Sequence, residues 1–266
     1  MDMSEWLSYW YPYICNYLGI GPEEDLESAR LLNDIITNSR VDVQKNKKEL
    51  KKMVFGKPVI VFGAGPSLDG DILNVLHENF LDKCVIIAAD GATKALLNKQ
   101  IIPKATATDL DGDLESLMYA CQSGSIMVIL AHGDNKEKIS GIVPELIKEG
   151  CKIVGTTQTK PFGVLENYGG FTDGDRGAYM AVEMGAKMII LAGFDLGEKI
   201  GRYSKKESQL GGIGHEMKLK KLKLAKELLT NLGKTGKIPV LNITSGGEEI
   251  PNVPKITTKQ LKNMLN

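Results

Sequence analysis

The sequence is short of most residues that announce a function at first sight. It has three histidines (His77, His132, His215) and four cysteines (Cys15, Cys84, Cys121, Cys151). No two cysteines form a C-x-x-C pair, which argues against a zinc site or disulfide framework and leaves buried, reduced thiols as the expectation. Neither sign of charge is in excess. With a formal net charge of +0, no global field draws the chain to nucleic acid or to an anionic membrane, so any affinity for phosphate has to be local. No apolar run approaches the length that spans a bilayer. The opening residues, MDMSEWLSYWYPYIC, lack the basic and apolar stretches of a signal peptide, and a cytoplasmic protein is expected.

What is present is ample apolar material, 42% of the chain, which is enough for a sizeable core. Residues 1–55 read as a helical, aromatic extension. They hold Trp6 and Trp10 with Tyr9, Tyr11, Tyr13 and Tyr17. Glu23, Glu24 and Asp25 then open a helix where its positive dipole end favours acids, followed by Leu26, Ala29, Leu32, Ile35 and Ile36 at helical spacing. The aromatic cluster packs most simply on the main domain; a cover for a ligand cleft or a homodimer surface are the alternatives.

Residues 56–266 read as an α/β catalytic domain. Short apolar runs at Pro58–Phe62, Cys84–Ala89, Lys104–Thr108, Ser125–Ala131, Cys151–Gly155, Lys187–Ala192 and Ile238–Ile243 alternate with amphipathic helical stretches. That alternation predicts a doubly wound, mainly parallel sheet covered on both faces.

In such a sheet, ligands sit outside the carboxyl ends of the strands. VIIAAD ends on Asp90 and KATATDLDG on Asp109 and Asp111, so these acids are expected to face one crevice. Neighbouring carboxylates repel unless a cation neutralises them, and a hard divalent ion such as Mg²⁺, held by carboxylates and substrate phosphates, meets that demand. The bland reading of DLDGD is a solvated turn with Asp113 capping the next helix. A similar strand end recurs in IMVILAHGDN, where His132, Asp134 and Asn135 follow; Asp134 is a third candidate metal ligand, and Asn135 a helix cap or phosphate contact.

The first strand runs into GAGPSLDG. Gly63, Gly65, Pro66 and Ser67 form a partial phosphate-binding turn, with Leu68 where the dinucleotide fingerprint has its third glycine. Asp90 follows Gly65 at about the interval of a ribose-binding acid, which keeps a dinucleotide reading open. Thr156, Thr157 and Gln158 suit either the edge of a polar heterocycle or an ordinary polar loop. In GGFTDGDR, Asp175 is the expected N-cap. Arg176 is unusual at a positive helix end, and with Asp173 it suits a phosphate or metal shell. The loop from Gly193 to Gly214 reads as a lid, with Arg202, Lys205 and Lys206 as cations for phosphate. Lys218, Lys220, Lys221 and Lys223 read mainly as solvated charge, one of them near enough to the helix start to reach a nucleotide.

Taken in order, these motifs resemble a known family. DGA, a Leu-rich helix, Pro103 and DLDG resemble the thiamine pyrophosphokinases, in which acids at these places hold Mg²⁺ and ATP. AHGDN and GGFTDGDR resemble the archaeal 6-hydroxymethyl-7,8-dihydropterin diphosphokinases. The resemblance, from Lys57 to Leu241, implies Mg²⁺-dependent transfer of diphosphate from ATP to a pterin alcohol with release of AMP. It implies catalytic roles for Asp90, Asp109, Asp111 and Arg176, metal ligation by Asp109, Asp111 and Asp134, and pterin contacts from Thr157, Gln158 and His132. Gly112 stands where the thiamine enzymes carry serine, which puts thiamine in doubt as substrate. The alternatives are a thiamine-pyrophosphokinase-like enzyme acting on another alcohol, a metal-dependent sugar-nucleotide transferase, an NAD-dependent oxidoreductase and a non-catalytic nucleotide sensor.

Overall fold

The computed structural model describes residues 1–204 and 213–266. Its frame is a seven-stranded sheet: β1 (Pro58–Phe62), β2 (Val85–Ala89), β3 (Ala105–Thr108), β4 (Ile126–Ala131), β5 (Ile153–Thr157), β6 (Met188–Ala192) and β7 (Val240–Asn242). Every pairing is parallel, in the spatial order β5-β4-β3-β2-β1-β6-β7. The chain starts mid-sheet at β1, walks outward to β5, then returns across β1 to β6. The carboxyl ends of β1 and β6 therefore border the point where winding reverses, the usual place for a ligand crevice.

Both faces of the sheet are covered, so most strands are near-continuous apolar runs, while β3 and β5 also bury threonines. Val59 and Val61 point into one core, with Ile189, Leu191 and the helical residues Tyr179, Met180 and Leu228. Ile60 and Phe62 point into the opposite one, with Leu68, Ile72, Leu96 and Leu261. This two-residue period is the pleat of a strand. A third cluster, around Met127, Ile129 and Ile153, covers the β4–β5 end.

The extension is helical: α1 (Met3–Glu5), a π-helical turn (Trp6–Trp10), α2 (Tyr11–Leu18), α3 (Pro22–Thr37) and α4 (Val43–Val54). Gly19 closes α2 in the left-handed conformation at φ 67°, which only glycine adopts without strain. Trp6, Trp10, Tyr11, Ile14, Leu50 and Val54 share a core with β1 and β6, so the aromatics pack on the main domain. The remaining helices are α5 (Leu68–Glu78), α6 (Asp90–Leu97), α7 (Leu114–Gln122), α8 (Lys136–Lys148), α9 (Asp173–Glu183), α10 (Ile213–Lys234) and α11 (Thr258–Leu265). Helix α3 packs against α8 and the turn at Gly133–Asn135, which carries its first turn to the carboxyl end of β4. Among the described residues no helix is long and apolar enough to cross a membrane.

Two expectations are corrected. Cys121 and Cys151 are joined in a disulfide, with Cα atoms 5.5 Å apart across 30 residues of chain; Cys15 and Cys84 stay free. Both bridged residues sit just before adjacent strands, β4 and β5, and the crossover through α8 sets them side by side, a closeness invisible in sequence spacing. At α9, Thr172 rather than Asp175 is the N-cap. Asp175 is the third helical residue, its carboxylate accepting from Thr172 N at 2.7 Å and Phe171 N at 2.8 Å.

Candidate active site

The carboxyl ends of the strands open into a cleft of about 320 Å³. β1 supplies Gly63 to Pro66, β2 Asp90, β3 Asp109 and Asp111, β4 His132 and Asp134, β5 Gln158 and β6 Asp195. The start of α9 adds Phe171 to Gly174, α10 adds Lys218 and Lys221, and α3 adds Glu24 and Asp25.

Asp90, Asp109 and Asp173 each bring a carboxylate oxygen within 4.8 Å of the others. Asp90 opens α6 and is 3% exposed. Its Oδ2 accepts from the Thr108 hydroxyl and from Gly112 N, while its Oδ1 is buried with no partner among the described residues. Burial, reinforced by the charges of Asp109 and Asp111, pushes its carboxyl up to about 7. Asp111 is pushed up to about 6 by burial and then by Asp109. Burial, followed by the same acids, holds Asp173 well above the usual range, with Lys218 opposing. Burial is the leading cause for all three carboxyls, and repulsion among the acids adds to it.

Asp109 departs from this pattern. Burial works to raise it, yet the hydrogen bond from His132, with that from Asp111 and the charge of Lys138 adding to it, outweighs burial and holds it well below the carboxylate range. His132 Nδ1 accepts from Asp134 N at 3.3 Å, which leaves the ring proton on Nε2, 3.2 Å from Asp109 Oδ2. The histidine thus serves as a donor fixed by its own backbone. Asn135 steadies the same junction: its amide donates to Leu130 O at 2.7 Å and Asp109 O at 3.0 Å and accepts from His132 N at 3.0 Å. Its polar groups are spent on the frame, and it does not line the cleft. Asp134 is exposed at the rim, outside the converging trio.

The glycine-rich turn serves close packing. A Cβ on Gly65 would meet Asp195 Oδ2 at 2.1 Å and Gly193 O at 2.5 Å. The Gly63 and Gly65 amides donate to Ala192 O and Gly193 O, and Ser67 N to Asp195 Oδ2. The Ser67 hydroxyl lies 2.9 Å from both Asp71 and Asp195. These amides hold β6 to β1 instead of standing free around a phosphate.

Cations come from elsewhere. Lys218 of α10 lines the cleft and faces the charges of Asp173, Asp111 and Asp109, although burial lowers its own pKa. Lys199 and Lys221 line it as well. Arg202 pairs with Asp69 at 2.8 Å on the exterior; Lys205 and Lys206 lie outside the described residues. Arg176 is 1% exposed, and its Nε and both terminal nitrogens lack a partner among the described residues. Of the heterocycle candidates, Gln158 lines the cleft, because β5 runs on through Thr157 and ends beside it. The Thr157 hydroxyl is turned to Thr159, 2.9 Å away.

Sequence reasoning does not select Asp25 or Asp195, and it leaves Lys218 among four lysines read mainly as solvated. Asp25 reads as a partner of a helix dipole, while Asp195 in AGFD, an acid directly after an apolar strand, carries the same signal as Asp90.

The matching family model and the named relatives agree with one another. The model of the family described as 6-hydroxymethylpterin diphosphokinase MptE-like matches residues 31–201. The chain is 43% identical over 240 residues to the 6-hydroxymethyl-7,8-dihydropterin pyrophosphokinase of Methanocaldococcus jannaschii, covering 87% of this chain and 96% of that one. It is 40% identical over 244 residues to the protein of the same name from Pyrococcus furiosus, covering 92% and 100%. For the namesake from Methanothermobacter thermautotrophicus the identity is 37% over 244 residues, covering 90% and 99%. Among solved structures, the MAf glycosyltransferase of Magnetospirillum magneticum AMB-1 is similar with a TM-score of 0.52 at 18% identity, over 80% of this chain and 38% of that one; this likeness concerns the fold alone. With relatives this similar along nearly their whole length and a family model spanning most of the α/β core, the chain belongs to the MptE-like family of 6-hydroxymethylpterin diphosphokinases.

Proposed function

We propose that this protein transfers a diphosphate group from ATP to the hydroxymethyl oxygen of 6-hydroxymethyl-7,8-dihydropterin and releases AMP, with Mg²⁺ in the acidic site. The observation that carries the reading is the convergence of Asp90, Asp109 and Asp173 at the carboxyl ends of the sheet, in a chain of this family. An all-oxygen donor set with one buried, unpaired oxygen, Asp90 Oδ1, fits a hard divalent cation. Asp90, Asp109 and Asp173 would hold it, with Asp111 beside them. When bound, the ion supplies neutralisation of phosphate charge.

In the reaction the alcohol oxygen attacks the β-phosphorus, the bond from that phosphorus to the α–β bridging oxygen breaks, and AMP leaves with that oxygen. Such transfers depend on alignment and charge more than on a dedicated nucleophile. Lys218 and Lys221 stand over the cleft as partners for phosphate oxygens. The alcohol proton needs an acceptor, and Asp111, which lines the cleft beside the three acids that would hold the ion, is the carboxylate placed for that role. His132 keeps Asp109 ionised, and Gly112 lets Asp90 approach. ATP as co-substrate implies a cytoplasmic setting.

The test is AMP formation from ATP and Mg²⁺ with the reduced pterin or thiamine as acceptor, for wild type, Asp109→Asn and Asp173→Asn. AMP formed with the pterin alone and lost in both variants is the expected result. Tight ATP binding with no AMP from either acceptor would refute the reading.

A further inference from the structure

The N-terminal extension reads from sequence as packing material, yet it grips one residue of the cleft at both ends. Trp6 Nε1 of the π-helical turn donates to the Gln158 backbone carbonyl at 2.7 Å. Asp25 of α3 accepts from Gln158 Nε2 at 2.6 Å. Asp25 is itself fixed: Oδ2 also accepts from the Tyr11 hydroxyl at 2.7 Å, and Oδ1 accepts from Gly133 N at 2.7 Å. Both Asp25 and Gln158 line the cleft and are 2% exposed.

A carboxylate accepts and does not donate. Asp25 therefore decides which way the Gln158 amide faces, since Nε2 has to meet it. The group left over is Oε1, which is buried and has no partner among the described residues. An unpaired acceptor in a ligand cleft loses stability unless something donates to it. Two residues beyond Gly174 of the cleft wall, the buried Arg176 guanidinium is unpaired as well and senses the charge of Asp25. This region thus holds an acceptor and donors that the fold itself does not use.

We propose that Gln158 Oε1 is the acceptor that reads the N–H edge of the substrate ring, and that Asp25 is the positioning residue that turns that oxygen toward it. The inference rests on the pterin reading of the cleft, because the 2-amino-4-oxo ring of a pterin carries adjacent N–H donors. It makes the extension part of the specificity machinery: a ring offering only acceptors at that edge leaves Gln158 unpaired and is rejected.

Asp25→Asn tests it with the shape retained. The substituted side chain keeps a carbonyl that can still accept from Gly133, its amide nitrogen faces Gln158, and Tyr11 can reverse its hydroxyl. The Gln158 amide then turns over and presents N–H groups to the ring. We expect Kd and KM for the reduced pterin to rise about ten- to a hundredfold, with the ATP Kd unchanged and the loss falling on KM rather than kcat. The same variant should gain relative affinity for 6-hydroxymethylpteridine, whose unsubstituted ring offers only acceptor nitrogens. If Asp25→Asn does not fold by thermal denaturation, Gln158→Met, which removes the amide at similar length, carries the same expected loss of pterin binding. Pterin affinity and ring preference unchanged in a folded variant would overturn the inference while leaving the proposed reaction intact. Wild type that binds ATP but no pterin would overturn the proposed reaction, and the inference with it.

Discussion

A Cβ placed on Gly112 would lie 1.7 Å from Asp90 Oδ1. The glycine that departs from the DLDS motif of the thiamine enzymes is therefore a requirement of the neighbouring acid. Gly112→Ser should displace Asp90 or the β3 loop, lowering kcat by about a hundredfold and stability by about 1–3 kcal/mol. Steady-state kinetics beside denaturant unfolding separates the two effects; unchanged kcat would show that Asp90 does not need its present position.

His132 sets the charge of Asp109, so its loss should be felt as weaker metal binding. For His132→Ala we expect the Mg²⁺ concentration for half-maximal activity to rise by about ten- to a hundredfold, and the rise to shrink as pH increases and Asp109 ionises unaided. A Mg²⁺ titration of AMP formation at several pH values measures it.

Metal-free protein should lose stability as pH rises. Asp90 and Asp111 have folded-state pKa values raised to about 7 and about 6, so the folded state binds more protons than the unfolded chain between about pH 4 and those values. Stability then falls across that window and levels off above it. Thermal melts from pH 5 to 8 in chelator should show the decline, Asp90→Asn should flatten it, and added Mg²⁺ should oppose it at the alkaline end.

Lys218 is the described cation that faces Asp173, Asp111 and Asp109 together. Lys218→Ala should reduce kcat/KM for ATP by about ten- to a hundredfold, the equivalent of about 1.5–3 kcal/mol for a hydrogen bond to a charged group, and leave pterin Kd nearly unchanged. An equal loss for both substrates would assign the lysine to packing.

The Cys121–Cys151 bridge closes a loop of 30 residues. Its reduction, or Cys151→Ser, should lower stability by about 2–4 kcal/mol, read by denaturant unfolding with and without reductant. Mass spectrometry of unreduced, alkylated protein should find only Cys15 and Cys84 modified.

The strands were legible because a sheet buried on both faces demands short, continuous apolar runs, and each of β1 to β7 overlaps such a run. Asp90, Asp109 and Asp111 were legible because parallel strands deliver whatever follows them to one edge. Chain order could not seat Asp173, read from its loop as a phosphate or metal-shell group, against Asp90 and Asp109; it arrives from beyond β5, through α9 running back under β2 and β3. Nor could it add Asp25 or Lys218, whose helices read as amphipathic surface until the cleft is seen to take their polar ends.

Local chemistry and periodicity thus determined the α/β class, the element order and the acids at the strand ends, all of which depend on residues near one another in sequence. The tertiary structure alone decided which acids meet, which lysine faces them, which cysteines pair and which way Gln158 turns. Those outcomes depend on distances set by strand order and crossover packing, and a one-dimensional pattern carries no information about such distances.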